Sequence, residues 1–159
     1  MSTLHLTVAA VIEKQNRFLF VEELVGGIEV INQPAGHVEK DEALREAVVR
    51  EMLEETAWRF DPTAIIGVYL WTHPTSDERF LRIVFTGRID QHDATRPLDE
   101  GILRTLWLSR DALLERTDQL RSPMVLRAID DYTAGLRFPV NMFQQISIDE
   151  LAHHAKKVV

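Results

Sequence analysis

The sequence predicts a mixed α/β (α+β) sandwich. Extended stretches rich in β-branched residues recur along the chain, as in LHLTVAAVI at 4–12 and FLRIVFTGRI at 80–89. Two stretches carry helix signals instead: GHVEKDEALREAVVREMLEE at 36–55 and SPMVLRAIDDYTAG at 122–135. Strands and helices do not alternate regularly, so the strands flank a few helices rather than forming a plain βαβ array.

Leu4 to Ile12 alternates loosely and reads as a strand, Phe18 to Val21 as a second, with Glu13 to Arg17 as the hairpin between them. Gly26-Gly27 marks a turn, and Ile28 to Ile31 resumes the extended pattern. NQPAG at 32–36 reads as a loop into the first helix, with Asp41 as its N-cap. Beyond the helix, strands are expected over Ala64 to Thr72 and Phe80 to Ile89, joined by the polar stretch His73 to Arg79. A loop over His92 to Gly101 leads to a short strand at Arg104 to Leu108, and Ser109 caps a small helix to about Leu114. Ser122 as N-cap with Pro123 at the first helical position starts the next helix, and Gly135 ends it. Ser147-x-x-Glu150 is a capping-box pattern opening a tail helix.

The 159 residues suit one domain spanning 1–159. Without cysteine there is neither a disulfide framework nor a thiolate metal site. The N-terminus lacks a basic n-region and no apolar run reaches transmembrane length, so a cytoplasmic protein without membrane attachment is expected. Net charge is −7, of which 36–55 carries three basic and seven acidic residues, or −4. Such a chain lacks a general phosphate-attracting surface, and nucleic acid is not an expected partner. If it handles phosphates, a cation must mediate.

The helical stretch shows where. Taking Leu44 as zero and about 100° per residue, Val48 lies near 40°, Glu51 near 340°, Glu55 near 20° and Glu54 near 280°. Glu51 and Glu55 share the inward face of Leu44 and Val48, and Glu54 borders it. A solvated acidic face explains Glu39, Asp41, Glu42 and Glu46. It does not explain two carboxylates in line with an apolar stripe, where burial is costly unless the charge is paired or metal-bound. Arg50 can pair with Glu46 or Glu54 but cannot neutralise all three. Oxygen ligands without cysteine favour Mg²⁺ or Mn²⁺.

Gly36, five residues, Glu42, seven residues, then Arg50-Glu51-Met52-x-Glu54-Glu55-x-Ala57-Trp58 resembles the Nudix box GX5EX7REUXEEXGU at 36–58. Each fixed position is filled except the last glycine, which is Ala57. NQPAGHVE, FLRIVF and LRSPMVLRAIDDYTAGLRFP extend the likeness toward the NudJ phosphatase branch, over about 5 to 143. The tail at 144–159 carries no motif, and its role stays open. The resemblance implies a Nudix α/β/α sandwich with a mixed β-sheet and a loop–helix–loop formed by the box. It implies hydrolysis of a diphosphate linkage assisted by Mg²⁺, with Mn²⁺ as the alternative. Glu51, Glu54 and Glu55 would hold the metal with the Gly36 carbonyl, and in some members the Glu51 position is a general base instead. Glu42 and Arg50 would brace the loop–helix–loop. The expected catalytic set is Arg50, Glu51 and Glu54, joined by Glu100 from the 92–101 loop, with Asp99 second to it.

Ala57 is left with two readings, a positive-φ turn that strains alanine or a near-helical turn that tolerates it. Trp71, Arg82 and His37 are the expected substrate contacts, each weighed against a plain structural role. Arg121 and Ser122 precede a helix N-terminus, where capping is at least as good an explanation as anion binding. His153 and His154 suit a helix C-terminus rather than a metal. The leading function is metal-dependent hydrolysis of nucleoside tri- and diphosphates and of thiamine and hydroxymethylpyrimidine diphosphates, with release of phosphate. The alternatives are another nucleoside-diphosphate-linked substrate, or a Nudix module that senses a ligand without catalysis. A monomer is expected, with a homodimer as the alternative.

Overall fold

Alternation in the first strand gives the molecule its two cores. The computed structural model describes residues 3–147 and 149–151. In β1 (Leu4–Val11), Val8 and Ala10 point into one apolar cluster, and Ala9 and Val11 into another. A strand apolar on both faces belongs at the centre of a sheet. Here β1 lies between β5 (Ala35–His37) and β7 (Arg79–His92). Its pairing is antiparallel with β5 and parallel with β7. The five-stranded sheet is completed by β6 (Trp58–Thr72), antiparallel to β7, and β9 (Phe138–Pro139). A second sheet centres on β3 (Arg17–Val25), paired with β2 (Glu13–Lys14), β4 (Ile28–Asn32) and β8 (Ile102–Leu108).

Helix α1 (Leu44–Thr56) packs Ala47, Val48 and Met52 against Val8, Ala10, Ile65, Ile83 and Phe85. Helix α3 (Met124–Thr133) and the short α2 (Arg110–Leu114) serve the other cluster, where Val125, Ala128, Ile129 and Leu113 meet Ala9, Val11, Val84 and the second-sheet residues Phe20 and Ile31. The mixed sheet is therefore sandwiched between helices, as expected.

Four local expectations are corrected. The loop read at 32–36 closes into β5, because Ala35 and Gly36 pair with Ala9 and Val8. The N-cap of α1 is Ala43, not Asp41. Asp41 instead adopts a left-handed φ of 64°, and Glu46 reaches back to accept from the Ala43 N–H at 3.1 Å. Strand β6 begins at Trp58 rather than Ala64, with Pro62 tolerated beside a register shift between Pro62 and Ala64. The N-cap position of α3 falls on Pro123, although Ser122 Oγ still accepts from the Met124 N–H at 3.3 Å. Ser109 caps α2 as expected, accepting from the Ala112 N–H. In the tail, Glu150 accepts from the Ser147 N–H at 3.4 Å, while His153 and His154 lie outside the described residues.

Candidate active site

The inward carboxylates of α1 are where the helical wheel puts them. Glu51 is 9% and Glu55 7% exposed, although both are acids on a 13-residue helix that could have turned them outward. Arg50 organises the rim. Its guanidinium donates to both Glu42 oxygens, Nε at 2.7 Å and Nη2 at 2.9 Å, the two-pronged geometry that makes Arg–carboxylate pairs strong. Nη2 also donates to the His37 carbonyl at 3.0 Å. Residues 37–42 are thereby tied to α1. Nη1 of Arg50 lies between Glu51 (2.8 Å) and Glu54 (3.1 Å). Hydrogen bonds from Arg50 hold the Glu42 carboxyl below its ordinary range.

Glu55 has no such partner. Its Oε2 accepts one hydrogen bond, from the Ala35 N–H at 2.9 Å. Burial pushes it up to about 9, and the charges of Glu23, Glu51 and Asp99 add to the rise. Burial likewise raises Glu51, with Arg50 opposing and Glu54 and Asp99 adding to it. Gly36 faces this group at close quarters: a Cβ there would stand 2.0 Å from Glu51 Oε1. Glycine at 36 lets the Glu51 carboxylate lie against the backbone; a side chain there would push that carboxylate aside.

These features fit a hard divalent cation. The available donors are oxygens only, one buried carboxylate lacks a compensating cation, and the backbone at Gly36 is opened for the Glu51 side chain. Among the described residues no three acidic or histidine side chains already converge on one point. Arg50 stands between two of the carboxylates and Glu55 is turned to Ala35, so ligation requires these side chains to swing.

A second polar cluster borders the first. Arg82 on β7 is 6% exposed and donates Nη1 to Asn32 Oδ1 at 3.0 Å. Asn32 donates to Glu23 at 3.3 Å, and Arg121 forms a 3.9 Å ion pair with the same carboxylate. Burial pulls Arg82 down to about 10, which leaves it charged at neutral pH. Across the sheet edge runs a row of rings. Trp71 tilts toward Phe80 (5.7 Å between centroids), Phe80 stacks on His5 (4.8 Å), and His5 meets His37 edge-on (5.1 Å).

The NUDIX domain family matches residues 3–128 of the chain. The chain is a Nudix hydrolase. It is 40% identical over 138 residues to "Phosphatase NudJ" of Escherichia coli K12, covering 87% of this chain and 89% of that protein. Among solved structures, a NUDIX hydrolase from Nitrosomonas europaea is 40% identical, with a TM-score of 0.88 over 91% of this chain and 98% of its own. The MutT protein of Methanosarcina mazei Go1, at 24% identity and a TM-score of 0.68, covers 84% of this chain and 96% of its own and shares the fold.

In this Nudix hydrolase the box is the Gly36 loop, α1 and the turn at Ala57. That turn decides between the two readings of Ala57: its φ is 60°, the left-handed region, and its N–H donates to the Leu53 carbonyl. Gly36, Glu51, Glu54, Glu55, Arg50 and Glu42 are gathered at one end of α1. From the 92–101 loop, Asp99 is bound through its N–H to the Glu54 carbonyl at 3.0 Å, and its charge raises both Glu51 and Glu55. Glu100 is exposed one residue further on. Of the substrate candidates, Trp71 is half-buried beside a cavity and His37 is exposed next to the box glycine. Arg82 lies beneath the surface, bound to Asn32, which is itself buried. Glu23 and Asn32 escaped sequence reading. The only signal was the pair of acids Glu22 and Glu23 following the apolar run Phe18 to Val21.

Proposed function

We propose that this Nudix hydrolase removes the terminal phosphate from nucleoside tri- and diphosphates and from related diphosphates, including thiamine and hydroxymethylpyrimidine diphosphates. The 40% identity to a phosphatase across 87% of the chain carries this reading, together with a box whose three carboxylates are all present, Glu51 and Glu55 buried and Glu54 at their border. Glu51, Glu54, Glu55 and the Gly36 carbonyl would hold Mg²⁺, or Mn²⁺ in its place. The bound cation supplies charge neutralisation on the anhydride oxygens and makes water a better nucleophile. Arg50 and Glu42 fix the Gly36–Glu42 segment against α1, so the backbone frame is set before substrate arrives and only the carboxylate side chains have to swing onto the cation. Asp99, hydrogen-bonded to the end of α1, contributes a further acid at the mouth of the site. His37 faces the phosphates from the residue after Gly36.

Phosphate release with ATP, GTP, ADP and thiamine diphosphate tests the reading. Activity should vanish in EDTA and return with Mg²⁺ or Mn²⁺; full turnover in EDTA sinks the metal assignment. In ¹⁸O-water the label should enter inorganic phosphate. Pyrophosphate and nucleoside monophosphate as first products would move the attack to an inner phosphorus.

A further inference from the structure

Between the end of β6 and the segment leading into α3 lies an open cavity of about 580 Å³. That volume is within the range of small-ligand sites, roughly 300–1,000 Å³. Its walls include Trp71, Leu120, Arg121, Pro123, Leu126 and Arg127, one large aromatic ring among apolar side chains and two cations. The cations differ. Arg127 is bound to both oxygens of Asp131 at 3.0 Å. Among the described residues Arg121 has no hydrogen-bonded acceptor for its guanidinium, only the 3.9 Å ion pair with Glu23, and its side chain is 30% exposed.

The cavity also adjoins the polar cluster of Glu23, Asn32 and Arg82. Arg121 pairs with Glu23, and Glu23 is one of the charges that Glu55 feels. Behind them Arg82 is buried, its Nε without a hydrogen-bond partner among the described residues, and its Nη1 holds the Asn32 that donates to Glu23. Glu23 is thus held from two sides, by the ion pair to Arg121 in the cavity wall and by Asn32, which Arg82 holds from beneath.

We infer that this cavity receives the aromatic heterocycle of the diphosphate substrate, with Trp71 as its stacking face and Arg121 as the donor to acceptors on the ring edge. The inference rests on the phosphatase reading above and names the part of the substrate that reading leaves open. Every heterocycle presents a π-face, so Trp71 tolerates many rings. A guanidinium with donors left for a ligand is selective, and a purine with neighbouring acceptors such as guanine O6 and N7 suits it best. Arg82 acts at one remove, as a positioning residue that holds Asn32 and Glu23, and through Glu23 the aim of Arg121. The site therefore prefers GTP to substrates whose ring offers fewer acceptors, while still accepting those.

Steady-state kinetics on Trp71→Ala and Arg121→Ala test this with GTP as substrate and inorganic triphosphate, which has no ring, as substrate or competitor. Trp71→Ala should raise KM for GTP about tenfold, the lower part of the range for losing a base-stacking side chain. It should leave kcat and the inorganic triphosphate constants within about twofold, and Trp71→Phe should recover most of the loss. Arg121→Ala should raise KM for GTP more than for thiamine diphosphate. An unchanged KM for GTP in Trp71→Ala overturns the inference. Equal weakening of GTP and inorganic triphosphate in Arg121→Ala also overturns it, because Arg121 would then bind phosphate. If the wild type cleaves no anhydride at all, the phosphatase reading fails. The cavity is then judged by fluorescence in EDTA, where GTP should quench tryptophan emission in the wild type and not in Trp71→Phe. Quenching that persists in that variant sinks the inference.

Discussion

Helices α1 and α3 cover opposite faces of the same sheet, and they bury different chemistry. The inward residues of α3 are Met124, Val125, Ala128 and Ile129, all apolar. Those of α1 are Ala47, Val48, Glu51, Met52, Glu55 and Thr56. The first half of α1 packs as α3 does, while its last turns carry two acids into the interior. One helix is therefore chiefly scaffold. The other is scaffold at its start and carries the candidate site in its last turns, where burying a carboxylate is costly unless its charge is paired or neutralised.

The contrast can be broken by exchanging what each helix loses. Glu55→Gln keeps side-chain volume and removes the charge, so kcat should fall by on the order of 10³ with an unchanged far-UV spectrum. A near-wild-type kcat would remove Glu55 from the site. Ile129→Ala, at a fully buried position of α3, should cost about 2–5 kcal/mol of stability in urea titration. The kcat of the folded fraction should barely change; a large loss of kcat there would show that α3 serves chemistry directly.

Protons sharpen the comparison. In EDTA the folded Glu55 holds its proton up to about 9, whereas the unfolded chain releases it near 4.3. Between those values the folded state binds more protons, so stability must fall as pH rises, by up to about 1.4 kcal/mol per pH unit. Unfolding at pH 6, 7.5 and 9 should show that slope, with Mg²⁺ or Glu55→Gln flattening it. A wild-type slope identical to that of Glu55→Gln would contradict the burial argument. The smallest effect is expected at Ala57→Gly. Relief of the left-handed alanine should raise thermal stability by about 1 kcal/mol and leave kcat alone. Lower stability would mean that the turn is not left-handed in solution.

The carboxylate face of α1 was legible because helical periodicity is local: Leu44, Val48, Glu51 and Glu55 are separated by single turns. The start of α1 was not. Asp41 is a good cap by type, but the bidentate Arg50–Glu42 pair and the return of Glu46 to Ala43 fix the backbone two residues later. The early start of β6 was hidden by Pro62, which reads as a breaker until the bulge beside it is seen. Burial of Arg82 was out of reach as well. An arginine in a strand reads as exposed, and its acceptor, Asn32, is 50 residues away in sequence. Contacts of that separation leave no periodic trace.

The parallel pairing of β1 with β7 governs how the molecule is made. Before residues 79–92 have left the ribosome, β1 has only the three-residue β5 beside it in its sheet. A nascent chain that has emerged through Trp58 already contains every carboxylate of the box, yet lacks the central sheet on which α1 docks. Closing so long a loop is slow and entropically costly. Assembly thus waits on synthesis, and the acidic helix stands with its apolar stripe uncovered until strands translated after it arrive.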